Sequence, residues 1–162
     1  MGTEVRESVE IAAHPDDVYA LVSDVAAIGR FSPEASGARV RSRGGEPYVG
    51  MRFTGRNRGR LPWQRWSTLC TVTAADPGRR FGFDVAYLGL PIAHWEYALE
   101  PVPGGTRVTE TWSDRRSGPV GFLAVHGGAL LTGVRDRAAH NRASIRVTLE
   151  RLKAELEAAP SA

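Results

Sequence analysis

The sequence is poor in the residues that carry metal and covalent chemistry. Cys70 is the only cysteine, so the chain cannot form an internal disulfide. It has four histidines, and none of them has the spacing of a metal-ligand motif. A G-x-G-x-x-G phosphate loop and a G-x-S-x-G nucleophile motif are both missing. We therefore expect no metal site and no cofactor.

Lysine is also scarce. Lys153 is the only one, so the net charge of +3 and the pI near 9.5 come from arginine. The arginines are scattered, apart from a modest cluster at Arg52, Arg56, Arg58, Arg60 and Arg65. A nucleic-acid surface needs a concentrated basic patch with interleaved stacking groups, so we expect no nucleic-acid partner.

No apolar run is long enough to predict a membrane span. The least polar window is residues 118–134, which five glycines and His126 interrupt. Residues 1–11 are charged and alternating, without the apolar centre of a signal peptide. We expect a cytoplasmic protein without stable membrane insertion. The abundance of arginine, alanine and glycine suggests a GC-rich bacterial genome.

The remaining composition is that of one soluble domain. Hydrophobic residues make up 42% of the chain and charged residues 24%. No repeat, low-complexity tract or linker divides it, so residues 1–162 are predicted to form a single domain. Monomer and homodimer both remain open.

The strongest periodic signal predicts a long helix over residues 121–158. From residue 131 onward one face carries Leu131, Val134, Ala138, Asn141, Ile145, Leu149, Leu152 and Leu156. All of them except Asn141 are apolar, and the opposite face is charged. Such a helix needs a broad apolar partner surface.

Upstream of this helix, alternation predicts a sheet. A first strand at 5–11 is followed by a helix that opens at His14–Asp17 and by a second short helix at 26–31. Further strands are predicted at 38–43, 48–55, 66–74, 81–87, 93–99 and 106–113, with a basic loop at 56–62. This pattern is typical of an antiparallel sheet with one packed face.

The packed faces of these strands are unusually aromatic. They carry Met51, Phe53, Trp66, Phe81, Phe83, Tyr87, Trp95, Tyr97 and Trp112. One helix cannot easily cover that surface. Either the two short helices seal the rest, or the sheet curls around an internal hydrophobic cavity of the kind that binds apolar ligands.

Several motifs resemble a known superfamily. They are VEIAAHPDDVYALVSD at 9–24, FSPE at 31–34, VGMRF at 49–53, VTAADPG at 72–78, WEY at 95–97, GGTRVTE at 104–110 and TLERLK at 148–153. The chain resembles the START-like, or Bet v 1-like, superfamily, and within it the bacterial polyketide cyclase/dehydrase-type proteins. The resemblance implies an α+β helix-grip fold: a curved antiparallel sheet of six to seven strands around a long C-terminal helix, enclosing a hydrophobic cavity.

Three polar residues are candidates for chemistry. Glu110 shares a strand face with Val108 and Trp112, so a desolvated carboxyl group there can act as a general acid or base; the alternatives are a twist that turns it outward or an arginine partner. His126, in the glycine-rich segment, is a second acid/base or gating candidate, or an ordinary loop histidine. Asn141 is expected either to contact a ligand or to bond the backbone of the sheet.

Two functions follow from these expectations. The first is binding of a hydrophobic small molecule, polyketide-, lipid- or sterol-like, in the cavity. The alternative is a polyketide cyclase or dehydratase in which Glu110 or His126 moves protons, and Asn141 with a nearby arginine stabilises an enolate. Arg135 and Arg137 are the candidates for that arginine, or they are ordinary solvated helix surface. A partner-binding module that uses the glycine-rich segment is a third reading. The predicted ligand contacts are Phe53, Trp66, Phe83, Tyr87, Trp95, Tyr97, Trp112, Val134, Ala138, Asn141 and Ile145.

Overall fold

A computed structural model describes residues 3–41 and 45–158, without the side chains of residues 120 and 122–125. The strands are β1 Glu4–Ile11, β2 Ala35–Val40, β3 Arg52–Arg58, β4 Arg65–Asp76, β5 Arg80–Tyr87, β6 Leu90–Val102 and β7 Gly105–Asp114. The helices are α1 Pro15–Val22, α2 Gly118–Thr132 and α3 Arg137–Ala158, and a single 3-10 turn covers Ile28–Arg30.

All seven strands form one antiparallel sheet in the order β1-β7-β6-β5-β4-β3-β2. The sheet curves around α3, which packs mainly against β1 and also against β7 and α1. The apolar side chains of α3 that the sequence predicted to face the sheet, Ile145, Leu149 and Leu152, are almost fully buried. The predicted helix-grip architecture is confirmed.

The segment after β1 forms a helix because its first turn is well capped. The His14 ring accepts a hydrogen bond from the Asp16 backbone N–H through Nδ1, at 3.3 Å. Pro15 occupies the first turn, and Asp16 and Asp17 lie at the positive end of the helix dipole. The second predicted helix, 26–31, is shorter than expected and consists of the 3-10 turn alone.

β4 and β6 extend past their predicted bounds, with β6 covering Leu90–Val102 instead of 93–99, and β2 and β3 are displaced. β3 begins at Arg52 instead of residue 48, because Gly50 has a φ of +91° and the Met51 N–H bonds the carbonyl of Tyr48. It continues to Arg58, so the first half of the predicted basic loop is strand. β2 covers Ala35–Val40 and not 38–43, and residues 42 and 43 lie outside the described part of the chain.

The predicted 121–158 helix is two helices. Gly133 ends α2 with a φ of +71° and an N–H that bonds the carbonyl of Ala129. A left-handed residue of this kind ends helices, because a side chain there is sterically costly. Asp136 then opens α3, with its Oδ1 accepting from the Ala139 N–H at 3.0 Å. Leu131 and Val134 are therefore not part of the α3 face.

Candidate functional site

The register of the central strands places the predicted aromatic residues in rows. Phe83, Trp95 and Trp112 lie opposite one another across β5, β6 and β7. In the next row along the strands, Tyr97 of β6 lies between Phe81 of β5 and Glu110 of β7. Paired residues of antiparallel strands share a face, so both rows lie on the side of the sheet that faces α3.

The most unusual side chain in these rows is that of Glu110. It is only 3% exposed, although it is a carboxylic acid. The Tyr97 hydroxyl donates a 2.9 Å hydrogen bond to its Oε1. Within the described residues its other oxygen, Oε2, is buried and has no hydrogen-bond partner. A buried polar atom without a partner is rare in folded proteins and calls for an explanation.

Burial changes the acidity of this group. It raises the pKa of Glu110 from 4.5 to about 8, and the hydrogen bond from Tyr97 offsets only part of that rise. Burial, followed by the charge of Glu110 and its hydrogen bond, raises the pKa of Tyr97 well above its ordinary value. Near neutral pH Glu110 is therefore mainly protonated, and its Oε2 can carry a proton to donate.

A second glutamate in the same row shows why Glu110 is different. Glu7 of β1 lies opposite Glu110 on the other side of β7. Its Oε1 pairs with Arg142 at 3.2 Å and with Arg146 at 3.1 Å, both from α3. Cations thus reach Glu7 near the edge of the sheet, whereas among the described residues Glu110 has only the neutral hydroxyl of Tyr97 as a partner.

The predicted aromatic lining is unevenly buried. The Phe53 and Phe83 rings meet edge to face with centroids 5.4 Å apart, and Phe81 lies 5.9 Å from Phe83. Phe53 and Trp112 are buried, while Trp66, Phe83, Tyr87 and Trp95 are only half-buried. Part of the concave aromatic surface is thus accessible to solvent. The accessible part belongs to β4, β5 and β6, whereas α3 packs most closely against β1 and β7.

Two pockets of the described residues lie elsewhere. One, of about 480 Å³, is lined by Ala12–Pro15 and by the β6–β7 turn from Pro101 to Gly105. The other, of about 410 Å³, lies between the end of α1 and residues 45–51. Neither contains a predicted ligand contact. An internal cavity at Glu110 remains a prediction.

The predicted helix contacts are dispersed. Asn141 and Ile145 are buried on α3, at 4% and 1% exposure, and the hydrogen bonds of the described residues include none from the Asn141 amide. Ala138 is half-buried in the first turn of α3, and Val134 is half-buried in the α2–α3 connection. His126 is exposed on α2. Their predicted roles in binding and catalysis stay predictions.

A charged cluster that the sequence did not reveal joins α3 to the segment before β2. Glu34 Oε2 lies 2.8 Å from both Arg137 Nη1 and His140 Nε2. Burial acts to raise the pKa of Glu34, but hydrogen bonds and charge from His140 and Arg137 outweigh it and lower that pKa. Arg137, an enolate-orienting candidate, thus has a carboxylate partner. No sequence signal connects residues so distant in the chain.

Arg137 also interacts electrostatically with Asp114 at the end of β7. Asp114 accepts a 2.6 Å hydrogen bond at Oδ2 from Arg116 Nη2 and others at Oδ1 from the same residue. Burial acts to raise the pKa of Asp114, but Arg116, with a smaller contribution from Arg137, lowers it. The start of α3, the end of β7 and the segment before β2 therefore meet at one end of the sheet.

No group of three or more histidine, cysteine, aspartate or glutamate side chains among the described residues is arranged to hold a metal ion. Among the helices in that part of the chain, none combines the length and apolar character needed to cross a membrane.

Comparison with known proteins identifies relatives over almost the whole chain. The family described as polyketide cyclase / dehydrase and lipid transport matches residues 2–157. The Polyketide_cyc-like protein Cgl2372 of Corynebacterium glutamicum is 33% identical, over 97% of this chain and 93% of that protein, with a TM-score of 0.66. None of the curated proteins compared with the chain matches it.

More distant structures share the fold. DR_A0006 of Deinococcus radiodurans is 20% identical, over 94% of this chain and 96% of that one, with a TM-score of 0.66. StfQ, a di-domain ARO/CYC from the steffimycin biosynthetic pathway, is 14% identical over 97% of this chain and 51% of its own, with a TM-score of 0.72. At these low identities the similarity establishes the fold alone.

Proposed function

The chain belongs to the polyketide cyclase/dehydrase and lipid transport family, and we propose that it binds a hydrophobic, carbonyl-bearing small molecule of the polyketide kind. The binding site in this proposal is the concave aromatic surface between the sheet and α3, with Glu110 as the polar group that orients the ligand. Members of one family can bind ligands or transform them, so the proposal rests on the site and not on the family name.

The single observation that carries the proposal is the buried Oε2 of Glu110. Protonated near neutral pH and without a protein partner among the described residues, it can donate a hydrogen bond to a ligand carbonyl. Half-buried aromatic rings at Phe83 and Trp95 supply apolar contact area in the same part of the sheet. An apolar surface with few polar groups is the usual composition of a small-molecule site.

A pair of matched ligands tests this role. We expect a hydroxylated anthraquinone, which carries ring carbonyls, to bind the wild-type protein about tenfold more tightly than anthracene, since one buried hydrogen bond is worth about 1–1.5 kcal/mol. In Glu110→Leu that preference should vanish while anthracene binding persists. Isothermal titration calorimetry measures both, and Glu150→Leu on the exposed face of α3 is the control. A preference that survives in Glu110→Leu contradicts the proposal.

Catalysis is the second candidate, favoured by the pKa of about 8 at Glu110. A group with a pKa near the working pH is suited to general acid–base chemistry. In this reading the Glu110 carboxylate removes a proton from a methylene between two ligand carbonyls, and the resulting enolate attacks a distant carbonyl to close a ring. The protonated carboxyl group then donates that proton to the new alkoxide.

The two functions separate in the Glu110→Gln variant. Its amide can still donate a hydrogen bond but cannot transfer a proton. We expect a catalyst to lose conversion of a linear poly-β-ketone thioester analogue in this variant while binding of the anthraquinone is retained. Conversion is followed by liquid chromatography with mass spectrometry. Unchanged conversion would remove Glu110 from the chemistry, and no conversion by wild type would leave binding as the function.

A further inference from the structure

The exposed large hydrophobic side chains of the protein are not evenly distributed. Eight such residues are exposed in the described chain, and six belong to three segments: the β3–β4 loop, the β5–β6 hairpin and the end of α2. We call these six residues the apolar rim: Leu61, Trp63, Leu88, Leu90, Leu130 and Leu131. Single exposed hydrophobics are ordinary, but grouped ones mark interaction sites.

The topology brings these segments to one end of the sheet. The β3–β4 loop and the β5–β6 hairpin lie at the same end because β4 pairs with β3 on one side and β5 on the other, both antiparallel. The end of β7 joins them there, since the Arg115 N–H bonds the carbonyl of Ile92, close to the start of β6. α2 follows β7 directly.

The far end of α2 reaches the β3–β4 loop. A side-chain carbon at Gly133 would lie 2.8 Å from Nε2 of Gln64. The same Gln64 accepts a 3.0 Å hydrogen bond from the Leu61 N–H. α2 therefore runs from the β7 side to the β3–β4 side of this end, and Leu130 and Leu131 lie in its last turn, next to the contact between Gly133 and Gln64. The sequence of α2 contains no aspartate, glutamate, lysine or arginine.

Leu88 combines an exposed apolar side chain with a strained backbone conformation. It has a φ of +49°, the only non-glycine residue described with a positive φ, and it is 86% exposed. Asparagine, aspartate and glycine are the residues that suit such a hairpin position. A leucine there adds backbone strain and gains no burial in the protein itself. Trp63 also gains little burial within the protein, since it is 76% exposed.

The charge around the apolar rim is positive. Five exposed arginines lie in the flanking segments: Arg58, Arg60, Arg65, Arg115 and Arg135. Two carboxylates at this end of the described chain have basic partners, since Glu34 pairs with Arg137 and His140, and Asp114 pairs with Arg116. Asp136 caps α3. Basic side chains around protruding leucine and tryptophan fit an anionic, apolar partner.

We propose that the apolar rim docks onto the surface of an anionic lipid bilayer. The rim side chains stand on loop tips and a helix end, and none of them lines either of the two pockets described above. Tryptophan and leucine insert into the interfacial layer, and each arginine near an anionic surface strengthens the attraction to that surface. The docking does not depend on the ligand proposed above.

Flotation with vesicles of stated composition tests the docking. We expect the wild-type protein to bind vesicles of equal parts phosphatidylglycerol and phosphatidylcholine, and to bind phosphatidylcholine alone at least about tenfold more weakly. Tryptophan emission should shift to shorter wavelength on binding, because the exposed indole of Trp63 then leaves water. Absence of binding to the anionic vesicles overturns the proposal.

The variant Leu88→Asn combined with Trp63→Ala removes two rim side chains and keeps every arginine. Asparagine suits the left-handed conformation, so the variant should fold at least as well at that hairpin. We expect it to lose anionic-vesicle binding by about a hundredfold or more, since two apolar side chains that would leave water on docking are removed. The control, Tyr48→Ala with Val49→Ser, removes exposed hydrophobics outside the rim and should bind as wild type does.

Three results would contradict docking through the rim. One is vesicle binding that the rim variant keeps but that salt abolishes, because arginine attraction alone then accounts for it. Another is equal loss in the Tyr48 and Val49 control. The third is a vesicle-independent dimer, detected by sedimentation velocity, that the rim variant dissociates, since the rim would then bind a second copy of the chain.

Discussion

Tyr97 and Glu110 face each other across β6 and β7, and the Tyr97 hydroxyl donates a 2.9 Å hydrogen bond to Glu110 Oε1. This is the only hydrogen bond to the Glu110 carboxyl group among the described residues, and it leaves the buried Oε2 available. A carboxyl group in this setting is held protonated by desolvation. The protonated Glu110 is therefore a proton donor beside the aromatic side chains of the neighbouring strands.

The first prediction concerns stability against pH. Because the pKa of Glu110 rises from 4.5 to about 8 on folding, the folded state binds more protons than the unfolded state between these pH values. The contribution of Glu110 to the free energy of unfolding must therefore fall as the pH rises through this range. Glu110→Gln cannot ionise, so its unfolding free energy should change less between about pH 5 and about pH 9. Urea denaturation at a series of pH values measures the difference.

The exposed Glu150→Gln serves as the control for that comparison and should keep the wild-type pH profile. Parallel profiles for wild type and Glu110→Gln would mean that Glu110 titrates at its ordinary pKa in the folded protein.

A second prediction isolates the tyrosine. Its hydrogen bond lowers the pKa of Glu110, partly opposing burial, so Tyr97→Phe should raise that pKa further. Difference infrared spectroscopy follows the carbonyl stretch of the protonated carboxyl group during a pH titration. Tyr48→Phe, at an exposed position, should leave the titration unchanged. A lower pKa in Tyr97→Phe would show that the hydroxyl does not stabilise the carboxylate.

The Glu34 cluster predicts the opposite pH dependence. Burial acts to raise the pKa of Glu34, but the combined effects of His140 and Arg137 outweigh it and lower that pKa in the folded protein. The contribution of the Glu34 carboxylate to the free energy of unfolding is therefore present above the ordinary pKa of 4.5 and is lost as the pH falls below it. Glu34→Gln should lower the unfolding free energy by about 1–3 kcal/mol near neutral pH, because Arg137 and His140 lose their carboxylate partner. Thermal and urea unfolding measure this loss.

On acidification the difference between wild type and Glu34→Gln should shrink, since the wild-type carboxylate becomes protonated. Glu46→Gln, an exposed substitution, should have little effect at any pH. A difference that stays constant down to low pH would assign the loss to packing and not to charge.

The last prediction tests the grip of α3 on the sheet. Leu152 is completely buried, whereas Leu156, one turn later on the same face, is half-buried. Leu152→Ala should cost about 2–5 kcal/mol, because it removes transfer free energy and leaves a cavity. Leu156→Ala should cost clearly less. Equal losses in urea denaturation would indicate that the helix end is packed as tightly as its centre.

Much of the fold follows from local patterns. Alternation along β5, β6 and β7 predicts which residues share a face, and the register confirms it for Phe83, Trp95 and Trp112. The same rule correctly predicts that Glu110 points toward the core. The prediction failed at residues 131–136, where apolar periodicity continues but Gly133 and Asp136 end one helix and start another. Helix-ending signals outweigh periodicity there.

By itself, the sequence determined the antiparallel strands, the amphipathic C-terminal helix and the family, because these depend on side-chain period and motifs within short stretches. Only the tertiary structure decided what Glu110 meets. Its pKa depends on desolvation and on one hydroxyl from a neighbouring strand, while Glu7 in the same row meets two arginines from α3. The Glu34 cluster and the apolar rim likewise join segments far apart in the chain, and no local pattern encodes which distant side chains will meet.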